Sequence, residues 1–166
     1  SGAGKSTLAT LLAARGWRFM GDEFALLDPA TGLIHAFPRL ISLKNEAIAA
    51  AEAAWPTARM GPLMPATPKG DIRHMVPDAR AIAAMDVPAS PALLVFPRYG
   101  FAPEIRVVQP GEAFVRMTQA STNYVALGEA GFRALTGLIA AVPSVAVDYP
   151  DGASAIAQVE ALWAAL

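Results

Sequence analysis

The chain is predicted to fold as an α/β domain in which a mixed sheet is flanked by helices. Three observations predict it. A glycine-rich run, Ser1-Gly2-Ala3-Gly4-Lys5-Ser6-Thr7, leads straight into a helix-forming segment at residues 7–15 (TLATLLAAR). That segment carries Leu8, Leu11 and Leu12 on one face, and Gly16 follows as its C-terminal stop. Short apolar or alternating stretches then interleave with stretches of helical period through the rest of the chain. An early hairpin pattern, finally, makes the sheet mixed rather than purely parallel.

In chain order, residues 17–20 (WRFM) read as a strand that ends at Gly21-Asp22-Glu23. Residues 24–28 and 33–37 read as a hairpin around the turn Pro29-Ala30-Thr31-Gly32. Ser42 is placed to cap a helix over residues 43–55. Residues 56–70 hold Pro56, Pro62, Pro65 and Pro68 with two glycines, and are expected to be a mobile loop. Residues 71–76 (DIRHMV) form a short strand candidate, and residues 92–96 (ALLVF) a buried strand by their unbroken apolar run. Residues 104–108 (EIRVV) alternate like a strand with one exposed face. Helices are expected from Pro110 through Met117, over residues 129–140, and over residues 153–166, where Ile156, Val159, Leu162 and Trp163 recur at helical spacing. Val145, Val147 and Tyr149 alternate as the strand between the last two.

Composition narrows the function classes. At 166 residues the chain is expected to be one domain, and 54% hydrophobic against 16% charged residues excludes overall disorder. The net charge of -1 gives no basic surplus for nucleic acid or an anionic membrane. Absence of cysteine excludes disulfides, a thiolate nucleophile and a thiolate zinc site. His35 and His74 lie far apart in sequence, without a carboxylate-rich ligand pattern, which argues against zinc altogether. The apolar stretch at residues 134–147 is too short to span a bilayer and is broken by Pro143. A soluble, cytoplasmic domain is the expectation.

The opening run carries the chemistry. It matches the phosphate-binding P-loop, G-x-x-x-x-G-K-[ST], in all but the first glycine, which would lie two residues before Ser1. The chain thus reads as trimmed inside its loop, with the strand that feeds the loop missing. Gly2 and Gly4 permit the turns that aim backbone N–H groups, with those of Ser1, Ala3, Lys5, Ser6 and Thr7, at phosphate oxygens. Lys5 would bring its ammonium to the β- and γ-phosphates of ATP, and the Ser6 hydroxyl is a natural magnesium ligand. Seventeen residues after Lys5 come Asp22 and Glu23, at the predicted strand end that should face the loop. One carboxylate can hold Mg2+, and the other can take the proton of an attacking hydroxyl.

On these residues the chain resembles the HPr kinase/phosphorylase family. The likeness rests on SGAGKST, on a helix ending Ala14-Arg15-Gly16-Trp17-Arg18, and on Asp22-Glu23, where the family has two aspartates. It is closer still to the HPr-kinase-related kinase A branch of proteobacteria. The segments that carry this are DEFALLDPATG (22–32), FPRLISLKNE (37–46), TPKGDIRH (67–74) and NYVALGEAGFRAL (123–135). The resemblance implies a P-loop kinase domain of the HPr kinase/PEP carboxykinase-like type. Carried across by position, Asp22 becomes the general base and Glu23 a magnesium-shell ligand. The family's E-x-R-G segment is matched more loosely by Asp71-Ile72-Arg73-His74, where Asp71 would support magnesium and Arg73 would steady the transferring phosphoryl. A salt-bridged surface strand explains that segment as well. Assembly into a homo-oligomer is also implied.

The function this predicts is ATP- and magnesium-dependent phosphoryl transfer to a serine-like hydroxyl of a protein or peptide. A small-metabolite kinase and a nucleotide-binding regulatory module without transfer activity stay open beside it. Arg39, Lys44 and Asn45 are further candidates for holding acceptor or nucleotide, as are Arg98 and Tyr99 at the end of a predicted strand; a solvated helix start explains the first three equally.

Overall fold

A computed structural model describes residues 4–166. It is a mixed α/β arrangement whose sheets are flanked by helices, but the strands divide into three sheets rather than one. Helix α1 (Lys5–Ala14) is followed by a two-stranded hairpin of β1 (Leu26–Leu27) and β2 (Ile34–His35), antiparallel as expected and shorter than expected. A second sheet is built from β3 (Ile41–Lys44), β4 (Met60–Thr67) and β5 (Gly70–Met75), with β5 in the middle and both pairings antiparallel. Helix α2 (Glu46–Ala54) links β3 to β4, and the short α3 (Ala79–Ala83) follows β5. The third sheet places β8 (Ser144–Tyr149) between β6 (Leu94–Tyr99), parallel to it, and β7 (Glu104–Val107), antiparallel. Helices α4 (Pro110–Ala120), α5 (Tyr124–Leu127) and α6 (Glu129–Ala141) precede β8, and α7 (Gly152–Ala164) follows it.

Helix α1 joins the two larger sheets. Ala13 belongs to a buried cluster with Ile41, Leu43, Met75 and Ala51, on the β3–β5 side. Leu8 belongs to another, with Val145, Val147, Tyr149 and Val159, on the β8–α7 side. Its N-terminus meets both sheets, because Gly4 to Thr7 share one cleft with Ser42 and Lys44 of β3 and with Tyr99 of β6.

Several expectations are corrected. Residues 41–44 form a strand, and helix α2 begins only at Glu46, so Ser42 caps nothing. Ile41 and Leu43, both fully buried, alternate with Ser42 and Lys44, which is the period of a strand and not of a helix start. Residues 60–67 are a strand despite their prolines. β4 is an edge strand, and its two register shifts fall between Met60 and Leu63 and between Met64 and Thr67. Pro62 and Pro65 sit at those irregularities, where a missing N–H does not break the ladder.

Residues 17–20 make no ladder. Side chains anchor them instead: Phe19 is buried, Arg18 donates to the carbonyls of Ala84 (3.0 Å) and Val87 (2.7 Å), and Trp17 meets Trp163 edge-on with ring centroids 5.0 Å apart. β6 is half-buried and starts two residues later than expected. β7 is exposed along both faces because it closes the edge of its sheet, whereas β8 is nearly all buried because it is the central strand.

Candidate functional site

The described residues of the glycine-rich run start at Gly4; Ser1, Gly2 and Ala3 lie outside them. Gly4 is the N-cap of α1 with φ +81°, a left-handed conformation that suits glycine. A β-carbon built there would overlap the Tyr149 hydroxyl and come within 3.2 Å of Tyr99 Cβ. Among the described residues no side chain caps this helix end, whose first N–H groups have no partner within the helix. Leu8 and Leu11 bury the opposite flank of the helix, and the Thr10 hydroxyl, fully buried, donates to the Ser6 carbonyl at 2.9 Å.

A cleft of about 1000 Å3 opens at this helix end, large enough for a nucleoside triphosphate. Gly4, Lys5, Ser6 and Thr7 form one wall. Asp22 and Glu23 line the same cleft, as the spacing predicted, although the strand meant to deliver them is absent. Asp22 is steadied by the Ser42 N–H, which donates to its Oδ2 at 3.4 Å, and Glu23 faces Arg39 at 3.7 Å. Both partners of that second pair are largely exposed, so it holds Glu23 only weakly.

The far wall is built from the turn between β3 and α2 and from the tip of the β4–β5 hairpin. Lys44, Asn45 and Lys69 line it. Asn45 has φ +50° and ψ -124°, which is strained for a residue with a side chain. It is held there by a double clasp: its N–H donates to the Asp71 carbonyl at 2.9 Å, and its Oδ1 accepts from the Asp71 N–H at 3.0 Å. With that oxygen engaged, Asn45 caps nothing, and the N-terminus of α2 also meets the cleft without a side-chain cap. Helix α7 reaches the same cleft with Asp151 and Gly152, but its end is capped by Asp151, whose Oδ1 accepts from the Ser154 N–H at 2.8 Å.

Tyr149 lies against Gly4. It is 3% exposed, its ring centroid is 6.0 Å from that of Tyr99, and among the described residues its hydroxyl has no hydrogen-bond partner. Burial, and secondarily the neighbouring Tyr99, raise its pKa above the ordinary tyrosine value, so it stays a neutral donor.

Asp71 and Arg73 do not line the cleft. Asp71 Oδ1 accepts from the Ala66 N–H at 2.9 Å and fastens the hairpin. Arg73 donates to the Gly61 carbonyl at 2.8 Å and pairs with Glu52 of α2. Of the two strand-end candidates, Tyr99 lines the cleft, while Arg98 pairs with Asp148 and its guanidinium lies 3.9 Å from the Phe101 ring centroid. The pairing holds the Asp148 carboxyl below its ordinary value.

Lys69, Tyr149, Asp151 and Gly152 were missed as site residues. Asp151 had a legible signal, a capping Asp-x-x-Ser pattern directly after a strand; Lys69 and Tyr149 reach the site only through the hairpin and the sheet.

The donor set suits magnesium bound together with a phosphate. That ion takes one or two carboxylates and leaves its other positions to phosphate and water. Ser6, Asp22 and Glu23 line one cleft and could supply such a set with a phosphate, while among the described residues no three acidic or histidine side chains gather to hold a metal by themselves. No helix among them is long and apolar enough to cross a membrane. Compared with family models, with curated proteins and with solved structures, the chain matches none.

Proposed function

We propose that the protein is a P-loop kinase of the HPr-kinase-like type, moving the γ-phosphoryl of ATP to a serine-like hydroxyl of a protein or peptide. One observation carries this reading: Lys5 and Ser6, on the first turn of α1, share a single cleft with Asp22 and Glu23.

Lys5 and the uncapped N–H groups of α1 would bind the phosphates and spread their charge. Ser6 and Glu23 would hold magnesium, which supplies charge neutralisation between the β- and γ-phosphates. Asp22, steadied by the Ser42 N–H, would accept the proton as the acceptor oxygen bonds to the γ-phosphorus, the bond to the bridging oxygen breaks, and ADP leaves. Asp71 and Arg73 are assigned work in the hairpin and not at the phosphoryl group. The exposed strand β4 runs into the turn that carries Lys69 at the cleft, which supports an acceptor larger than a metabolite.

The test is Asp22→Asn against the unchanged protein. ATP affinity should stay within about threefold, while turnover falls by about 100-fold or more, as for loss of a general base. A protein that binds ATP and transfers nothing before substitution would instead be a regulatory module.

A further inference from the structure

The chain has three lysines, Lys5, Lys44 and Lys69, and all three line the one cleft. Four carboxylates line it as well, those of Asp22, Glu23, Glu46 and Asp151. Yet among the described residues no lysine closes an ion pair within 4.0 Å, whereas seven of the ten arginines do. Two of the three lysines are carried by backbone segments that are tied to each other. Lys44 immediately precedes Asn45, and Lys69 immediately precedes Gly70. Asn45 clasps the Asp71 backbone, and Gly70, at φ +84°, fits under that clasp because a β-carbon there would lie 2.8 Å from Asn45 Cγ. The clasp therefore ties the backbone that carries Lys44 to the hairpin turn that carries Lys69, and both lysines share the cleft with Lys5.

A nucleoside triphosphate seated on α1 would engage Lys5, whereas Lys44 and Lys69 belong to the β3–β5–β4 sheet and its hairpin turn and not to that helix. We infer that Lys44 and Lys69 form a second anion subsite, which receives an acidic side chain flanking the acceptor hydroxyl, so that the substrate class is an acidic seryl peptide or protein segment. This rests on the phosphoryl-transfer reading for the hydroxyl, but the subsite itself is a matter of binding. Charge-assisted hydrogen bonds to a carboxylate or phosphate suit the compact lysine ammonium.

The experiment titrates the protein with three seryl peptides, flanked by glutamate, alanine or lysine, with and without a saturating non-hydrolysable ATP analogue and magnesium. The glutamate peptide should bind at least about tenfold more tightly than the alanine peptide. In the double variant Lys44→Glu/Lys69→Glu that preference should reverse toward the lysine peptide, while affinity for the analogue stays within about threefold. Reversal is a readout that mere loss of structure cannot produce. Equal binding of all three peptides overturns the inference. So does a double variant that loses the analogue as fully as Lys5→Ala, since the lysines would then serve the nucleotide. If the unchanged protein fails to bind the analogue, the kinase reading falls, and the titration without nucleotide still decides the subsite by the same two outcomes.

Discussion

The hydroxyl of Tyr149 occupies the space that a β-carbon on Gly4 would need. The contact joins the last residue of the central strand β8 to the N-cap of α1, and so sets the helix end against the sheet. Gly4→Ala carries two penalties, a left-handed φ costing about 1–2 kcal/mol and the overlap with Tyr149. ATP affinity, by calorimetry, should fall at least about tenfold. Adding Tyr149→Phe removes the overlap but not the backbone cost, so recovery should be partial.

Tyr149→Phe alone should stabilise the protein without nucleotide. Its buried hydroxyl has no partner among the described residues; such a group costs about 1–3 kcal/mol, and in a chain of this size each kcal/mol moves Tm by about 2–4 °C. Alkaline behaviour provides a second check. Burial raises the Tyr149 pKa in the fold above its unfolded value of 10.0, so the folded state holds the proton more tightly. The stability associated with this is complete below pH 10.0 and declines as pH rises through the higher folded value. In thermal melts from pH 8 to 11, the part of the decline due to Tyr149 should vanish in Tyr149→Phe.

Asn45 and Gly70 should behave as a coupled pair. Asn45→Ala keeps the strained φ and loses the bond to the Asp71 N–H, and should cost about 1–2 kcal/mol in urea unfolding. Asn45→Gly loses the bond but relieves the strain, and should cost less. Gly70→Ala should cost more than either, because its φ is +84° and its new methyl group would enter the Asn45 side chain. In the double variant Gly70→Ala/Asn45→Ala the penalties should fall short of their sum, since the clash partner is gone.

These elements mark the limit of what could be read from the chain itself. Helix α1 and its Gly16 stop are legible because each follows from local chemistry at fixed spacing, whereas Asp22 and Glu23 reach the cleft without the strand expected to carry them. The strand β4 was not, because proline argues against a ladder and only an edge position with two bulges admits it. Lys44 was read at a helix start, and the strand period of Ile41 and Leu43 places it in β3 instead. Lys69 lines the cleft only because that hairpin exists and its turn is clasped to Asn45. Division of the strands into separate sheets depends on pairing partners, which no local period records.

Arg73 separates a structural role from one at the phosphoryl group. It ties β5 to α2 through Glu52 and to the first bulge of β4 through the Gly61 carbonyl. Both charged partners are partly exposed, so a double-mutant cycle of Arg73→Gln with Glu52→Gln should give a coupling of about 0.2–1 kcal/mol in unfolding. Affinity for ATP and turnover at saturating acceptor should change less than about threefold in Glu52→Gln. A large fall in turnover for Arg73→Lys, with stability unchanged, would return Arg73 to the phosphoryl group.

Acid should loosen the domain at a place remote from the cleft. Glu112 lies in the first turn of α4, where its charge also suits the helix dipole. Arg106 donates to both of its oxygens, at 2.9 and 2.8 Å, and Arg116 stands 2.6 Å away. The Arg106 bonds above all hold its pKa at about 2, against 4.5 when free. The unfolded chain therefore binds the proton first, so this stabilisation is complete above pH 4.5 and is lost as pH falls toward about 2. Thermal melts of Glu112→Gln should differ from those of the unchanged protein most above pH 5, and the two should converge near pH 2. The difference should also shrink in 1 M salt, where exposed charges are screened. A gap that stayed constant across this range would mean that Glu112 acts through packing and not through its charge.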